Sequence, residues 1–260
     1  MMIRAILILT VGLLLSVPVP ALAENSVALV GGRLIDGFGH APIADSVILV
    51  DGDRITKVGT IETLAVPDHY EVISLEGMDV LPGLWEAHAH LMLTGHADYP
   101  RWQRVYTDRF ADEIMPASAL QLLLAGITST RDLGAPLEAS VSLLNAVESG
   151  ELPGPRLFMS GPFLQAEVAE WQKGYRWAVR SIGDAKRRVA QLDEAGMVIV
   201  KLIDQDKMPR SVAEAIVEEA HARGRKVVAH SHRPDEIRVG LEIGVDNFEH
   251  TGLTTAPEYP

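Results

Sequence analysis

The feature that most constrains the fold is a repeated pattern after residue 79. Four helical runs each stop on a glycine and give way at once to a β-rich run. These are 117–125 before Gly126, 184–195 before Gly196, 211–223 before Gly224 and 234–243 before Gly244. The strands that follow are expected at 127–130, 197–203, 226–230 and 245–250. A fifth helix, 136–148, precedes a strand at 156–160. Adding the strand read over 80–90 gives six strands and five intervening helices. Strands alternating with helices build a parallel α/β sheet. The architecture expected is an incomplete (β/α)8 TIM-type barrel with about six strands present. A complete barrel takes roughly 250 residues, so this one stops about two units short. An open doubly wound sheet is the alternative.

Residues 24–78 read differently. Short strands at 26–34, 46–50, 54–58 and 70–75 are separated by turn signals such as Asp36-Gly37 and Asp51-Gly52. They predict a small N-terminal β-sandwich, with His40 and His69 on its surface. Ahead of it, Arg4 and the apolar run 5–17 precede Pro18, Pro20 and Ala21-Leu22-Ala23. That is the layout of a cleaved signal peptide over residues 1–23. The run is short for a membrane span. The expectation is export to the periplasm or medium, with no stable membrane insertion after cleavage. The domains are thus 1–23, 24–78 and 79–260.

Composition narrows the chemistry. Cysteine is absent, which removes disulfides, thiolate metal sites and a cysteine nucleophile. The net charge of −12 argues against nucleic acid, whose phosphates need clustered Lys and Arg.

In parallel α/β folds, sites form where strands end. The first strand ends in His88-Ala89-His90, whose i, i+2 spacing aims both rings at one point. Glu86 shares their parity and is expected to support them. The fourth strand carries Lys201 within an apolar run, on the parity of Met197 and Ile199. The fifth ends in His230-Ser231-His232 and the sixth in Glu249-His250. A lone histidine at a strand end is more often a hydrogen-bonded core residue, and a lone lysine can snorkel to solvent. Four histidines and a lysine at the same end of successive strands point instead to a metal site. A lysine buried among cations has a depressed pKa and a nucleophilic neutral amine, which can take up carbon dioxide as a carbamate.

On these residues the chain resembles the metal-dependent amidohydrolase superfamily, in its imidazolonepropionase-like, prolidase-type branch. The matching text is Gly32-Arg33-Leu34-Ile35-Asp36-Gly37, Leu81-Pro82-Gly83-Leu84 leading to His88-Ala89-His90, Gly126 to Gly134, Val200-Lys201-Leu202, Val228-Ala229-His230 and Phe248-Glu249-His250. The resemblance implies two divalent ions, zinc first, with manganese, cobalt or iron as alternatives. It places His88 and His90 on one ion, His230 and His250 on the other, and carbamylated Lys201 between them. His232 lies outside the pattern. The family's catalytic aspartate ends an eighth strand, and no residue here takes that role. The chain is therefore expected to be C-terminally short of the family and inactive, or nearly so, alone.

The activity implied is hydrolysis of an amide-type carbon–nitrogen bond in a dipeptide, an N-acyl amino acid or a cyclic amide. A non-catalytic metal- or partner-binding remnant is the alternative, and a solute-binding protein fits the leader but not Lys201. Aromatic residues in the loops 92–112 and 161–181 suggest a pocket wall. Tyr175, Arg176 and Trp177 are the substrate-binding candidates, with Arg176 or Arg180 for a carboxylate. Self-association is left open.

Overall fold

A computed structural model describes residues 26–95 and 97–251. The expected signal peptide lies outside the described residues. The described residues divide into two compact units, with the boundary between Pro82 and Gly83.

The first unit is one five-stranded sheet. Strands β1 (Ser26–Leu34), β2 (Ile43–Asp51) and β3 (Arg54–Thr60) pair antiparallel, while β4 (Glu71–Ser74) and β5 (Asp79–Val80) lie parallel to β1. The β2–β3 hairpin turns at Gly52, whose φ is +58°. Its small core is Ala28, Val47 and Leu49, with Val30, Leu64, Val66 and Tyr70 against it. Among the described residues no second sheet faces this one, so the expected sandwich is seen as a single layer. His40 and His69 are exposed, as expected.

The strand read over 80–90 is in fact two pieces. Asp79 and Val80 pair with Arg33 and Leu34 of β1. The strand of the second unit, β6, begins only at Leu84 and runs to Ala89. Pro82 has no N–H to give a ladder, and Pro82-Gly83 interrupts the extended run.

The second unit is a parallel α/β layer. β6, β7 (Ile127–Asp132) and β8 (Arg156–Met159) form one parallel sheet. In the other, the short β9 (Phe163–Gln165) and β10 (Arg176–Ala178) flank β11 (Ile199–Leu202), β12 (Lys226–His230) and β13 (Asn247–Glu249). The Val198 N–H donates to the Met159 carbonyl at 3.0 Å, linking the approach to β11 with β8. The helices are α1 (Tyr99–Tyr106), α2 (Met115–Leu124), α3 (Leu137–Glu148), α4 (Ile182–Glu194), α5 (Arg210–Ala222) and α6 (Pro234–Ile243). Each of the four expected stop glycines has a φ between 71° and 88°, the left-handed cap that glycine adopts without a Cβ penalty. Helix α1 and strands β9 and β10 lie in stretches read as loops.

Alternation along the strands divides the labour. Val200 and Leu202 of β11 join the large core that the helices cover. Ile199 packs on the other side, with Leu133 and Val228. Lys201 shares the parity of Ile199. The inner face of the strands therefore carries the polar groups, at one end, above a small apolar floor.

Gly134 shows how tightly the strand ends are packed. Its φ is +154°, and a Cβ there would lie 2.1 Å from the Phe163 ring. Phe163 in turn lies 5.4 Å from the His90 ring. Gly134→Ala is expected to destabilise the protein by about 2 kcal/mol or more, because both backbone strain and overpacking oppose it. A urea unfolding curve measures this, and an unchanged midpoint would show that Phe163 moves freely.

Candidate metal centre

Five imidazoles meet at the C-terminal ends of β6, β12 and β13. His88 and His90 bring their Nε2 atoms to 3.1 Å. His230, His232 and His250 place ring nitrogens within 4.8 Å of one another. The two groups touch through His88 and His250, whose ring centroids are 4.3 Å apart. His250 has a φ of +64°, a conformation seldom adopted outside glycine and enriched in functional sites.

His232 is thus part of the cluster, although the family pattern omits it. The signal was in the sequence: His230-Ser231-His232 repeats the i, i+2 spacing of His88 and His90 at a strand end.

Lys201 is fully buried and its Nζ has no hydrogen-bond partner. Burial pulls its pKa down to about 7, against the attraction of Glu249. Four of the imidazoles are also shifted toward the neutral form. Burial first, then neighbouring cations, lowers His90 and His230 to about 3 and His250 to about 4. His88 is lowered by burial too, against the pull of Glu249. The charge of Lys201 acts downward on all four.

Glu86 does not contact the rings as expected; its carboxylate accepts the His88 backbone N–H at 2.8 Å. Asp132, ending β7, is fully buried, and burial pushes its carboxyl up to about 7. Its Oδ1 accepts the Leu91 N–H at 3.2 Å and so pins the turn after His90.

A cavity of about 200 Å³ opens beside His90, His230 and His250, walled by Phe163, Tyr175 and Arg176. Arg176 donates to Gln165 Oε1 at 2.8 Å, while its Nε is buried without a partner. Tyr175 and Arg176 are therefore where the sequence placed them. Trp177 is a correction. It does not line the cavity, because the next residue along β10 faces the other way; it packs under Arg188 of α4, 4.4 Å from its ring. Arg180 is exposed and does not line the cavity either.

The donor set suits a divalent metal. Neutral imidazoles offer lone pairs, and a buried amine without a partner invites an acceptor. A second group of candidate ligands, Asp204, Asp206 and Glu236, is already bridged by the Arg233 guanidinium.

Residues 80–259 match the Amidohydrolase family, and the chain belongs to it. A candidate prolidase from Bifidobacterium longum has a similar structure, with a TM-score of 0.69 at 27% identity over 87% of this chain and 54% of that one. A molinate hydrolase shares the fold, with a TM-score of 0.74 at 19% identity over 91% of this chain and 60% of the other. An uncharacterized protein of Mycobacterium tuberculosis is 29% identical over 196 residues, 69% of this chain and 46% of its own length. The chain thus spans about half the length of these relatives.

The depressed histidines fix a pH dependence for the metal-free protein. Their folded pKa values lie below the unfolded value, so the unfolded state binds more protons as pH falls. The stability they contribute is complete above about 6.5 and is lost progressively as pH drops toward about 3. Histidine NMR titration should find His90 and His230 still neutral at pH 5; protonation near pH 6.5 would contradict the packing described.

Proposed function

We propose that the second unit builds a two-metal hydrolase centre acting on amide-type carbon–nitrogen bonds, in a dipeptide, an N-acyl amino acid or a cyclic amide. One observation carries this reading: five imidazoles cluster at the C-terminal ends of parallel strands, and four of them feel the charge of a buried lysine amine that has no hydrogen-bond partner. In this reading His88 and His90 hold one divalent ion and His230 and His250 the other. Zinc suits these nitrogen and oxygen ligands. When bound, such ions supply Lewis acidity and make hydroxide available near neutral pH.

Lys201 supplies the anionic bridge. Its neutral Nζ would attack the carbon of carbon dioxide: an N–C bond forms as one C=O π bond opens and its electron pair moves onto oxygen, and one proton leaves Nζ to solvent. The product is a carbamate with two oxygens, which offsets the positive charge around it. A pKa of about 7 leaves much of the amine neutral at physiological pH. The remaining residues bind and shelter the substrate. Arg176 presents a guanidinium to a substrate carboxylate, and the Phe163 and Tyr175 rings beside it exclude water. The similarity to a candidate prolidase supports the peptide end of this substrate range. The leader read over residues 1–23 would place the activity in the periplasm or outside the cell.

Native mass spectrometry and metal analysis of the full chain test the centre. The chain should take up zinc and show a bicarbonate-dependent gain of one carbon dioxide. Lys201→Met should abolish that gain and lower the bound zinc. Zinc uptake without hydrolysis of any dipeptide, N-acyl amino acid or cyclic amide would favour a binding remnant instead.

Arg176→Gln should raise KM about 10- to 100-fold for substrates with a free carboxylate, the worth of a charge-assisted hydrogen bond. Their amidated counterparts should change little. Equal effects on both would remove Arg176 from substrate recognition.

A further inference from the structure

Glu249 ends β13 and is 8% exposed. Both of its oxygens are engaged. Oε2 lies 2.7 Å from Nδ1 of His88, 161 residues earlier in the chain. Oε1 accepts from Arg131 Nη2 at 2.6 Å and from the Asn247 side-chain amide. Arg131 Nε also donates to the Ala87 carbonyl at 2.6 Å, one residue before His88. The guanidinium therefore ties the carboxylate to the backbone that carries the imidazole. With two N–H donors on Oε1, the carboxylate is an acceptor, and the shared proton belongs to His88.

A neutral imidazole carries one proton. If Nδ1 holds it, Nε2 is a lone pair, and this is the atom that faces His90. We infer that Glu249, locked by Arg131, is a positioning residue that fixes the Nδ1–H tautomer of His88 and so presents its Nε2 to a divalent cation. The cation half of this inference rests on the metal reading above; the tautomer half does not. Glu86, the carboxylate closer in sequence, is spent on backbone. A ligating histidine commonly has its other nitrogen held by a carboxylate, and loss of that partner weakens metal binding about 10- to 100-fold.

The test uses the metal-free full chain labelled with ¹⁵N-histidine, followed by titration with zinc. The wild-type spectrum should show His88 with a protonated Nδ1 and a bare Nε2. Glu249→Gln, whose amide can donate as well as accept, should mix or reverse the tautomers and weaken zinc binding about 10- to 100-fold. Glu249→Asp, which keeps the charge, should recover part of both. A wild-type His88 protonated at Nε2 would overturn the inference without any variant. So would a folded Glu249→Gln protein with an unchanged tautomer and unchanged zinc affinity. If the wild type takes up no zinc yet its tautomer responds to Glu249→Gln, the metal reading fails while the tautomer assignment stands.

Discussion

A buried lysine amine whose charge acts on four imidazoles is the constraint on which the site depends. Strand β11 is buried along its whole length, and the side chain of Lys201 is shielded from solvent. An ammonium there lacks water and partners, and burial alone makes the charged form costly. The same enclosure acts on the histidines. His88, His90, His230 and His250 are half-buried, and each feels the lysine charge. A chain with a net charge of −12 thus gathers nitrogen donors, shifted toward their neutral forms, at one end of its parallel strands. Glu249 is the carboxylate reaching into it, and Arg131 accompanies it. Such a locale favours uptake of anionic ligands and uncharged donor nitrogens, which are the ingredients of a metal centre.

The fold separates two tasks by strand parity. Outward residues such as Val200, Leu202, Val227 and Ala229 are apolar and lie in the core that the helices share. Inward residues carry the polar groups, above the apolar floor of Leu133, Ile199 and Val228. The turns then fix where each reactive group points. Asp132 holds the segment after His90, Gly134 lets Phe163 approach, and His250 takes a left-handed backbone.

Much of this could be read from the chain itself. The four glycine-stopped helices and the helical run at 136–148 account for five of the six α-helices, and the β-rich runs after them, with the one at 80–90, for the six main strands, since local periodicity and capping act within a few residues. His88, His90, Lys201, His230 and His250 were legible because strand ends are where side chains converge. What failed was long-range or alternation-dependent. Glu86 looked like the support for His88 because it is near in sequence, but the support comes from Glu249 across the fold. Trp177 was grouped with its neighbours Tyr175 and Arg176, yet it points the other way. Strands β9 and β10 are three residues each, too short to show a period, and α1 begins at a Tyr-Pro pair inside an aromatic loop. The Pro82 break was visible but read as part of one strand.

The link between His88 and Glu249 also bears on the order of folding. Joining groups 161 positions apart requires closing a very long loop, and contacts of that kind form late. The His88–His90 pair is made early in synthesis but gains its carboxylate support only when β13 docks. Until then His88 lacks that constraint, so ion capture by the nascent chain would meet a looser, less selective set of ligands than the finished fold provides.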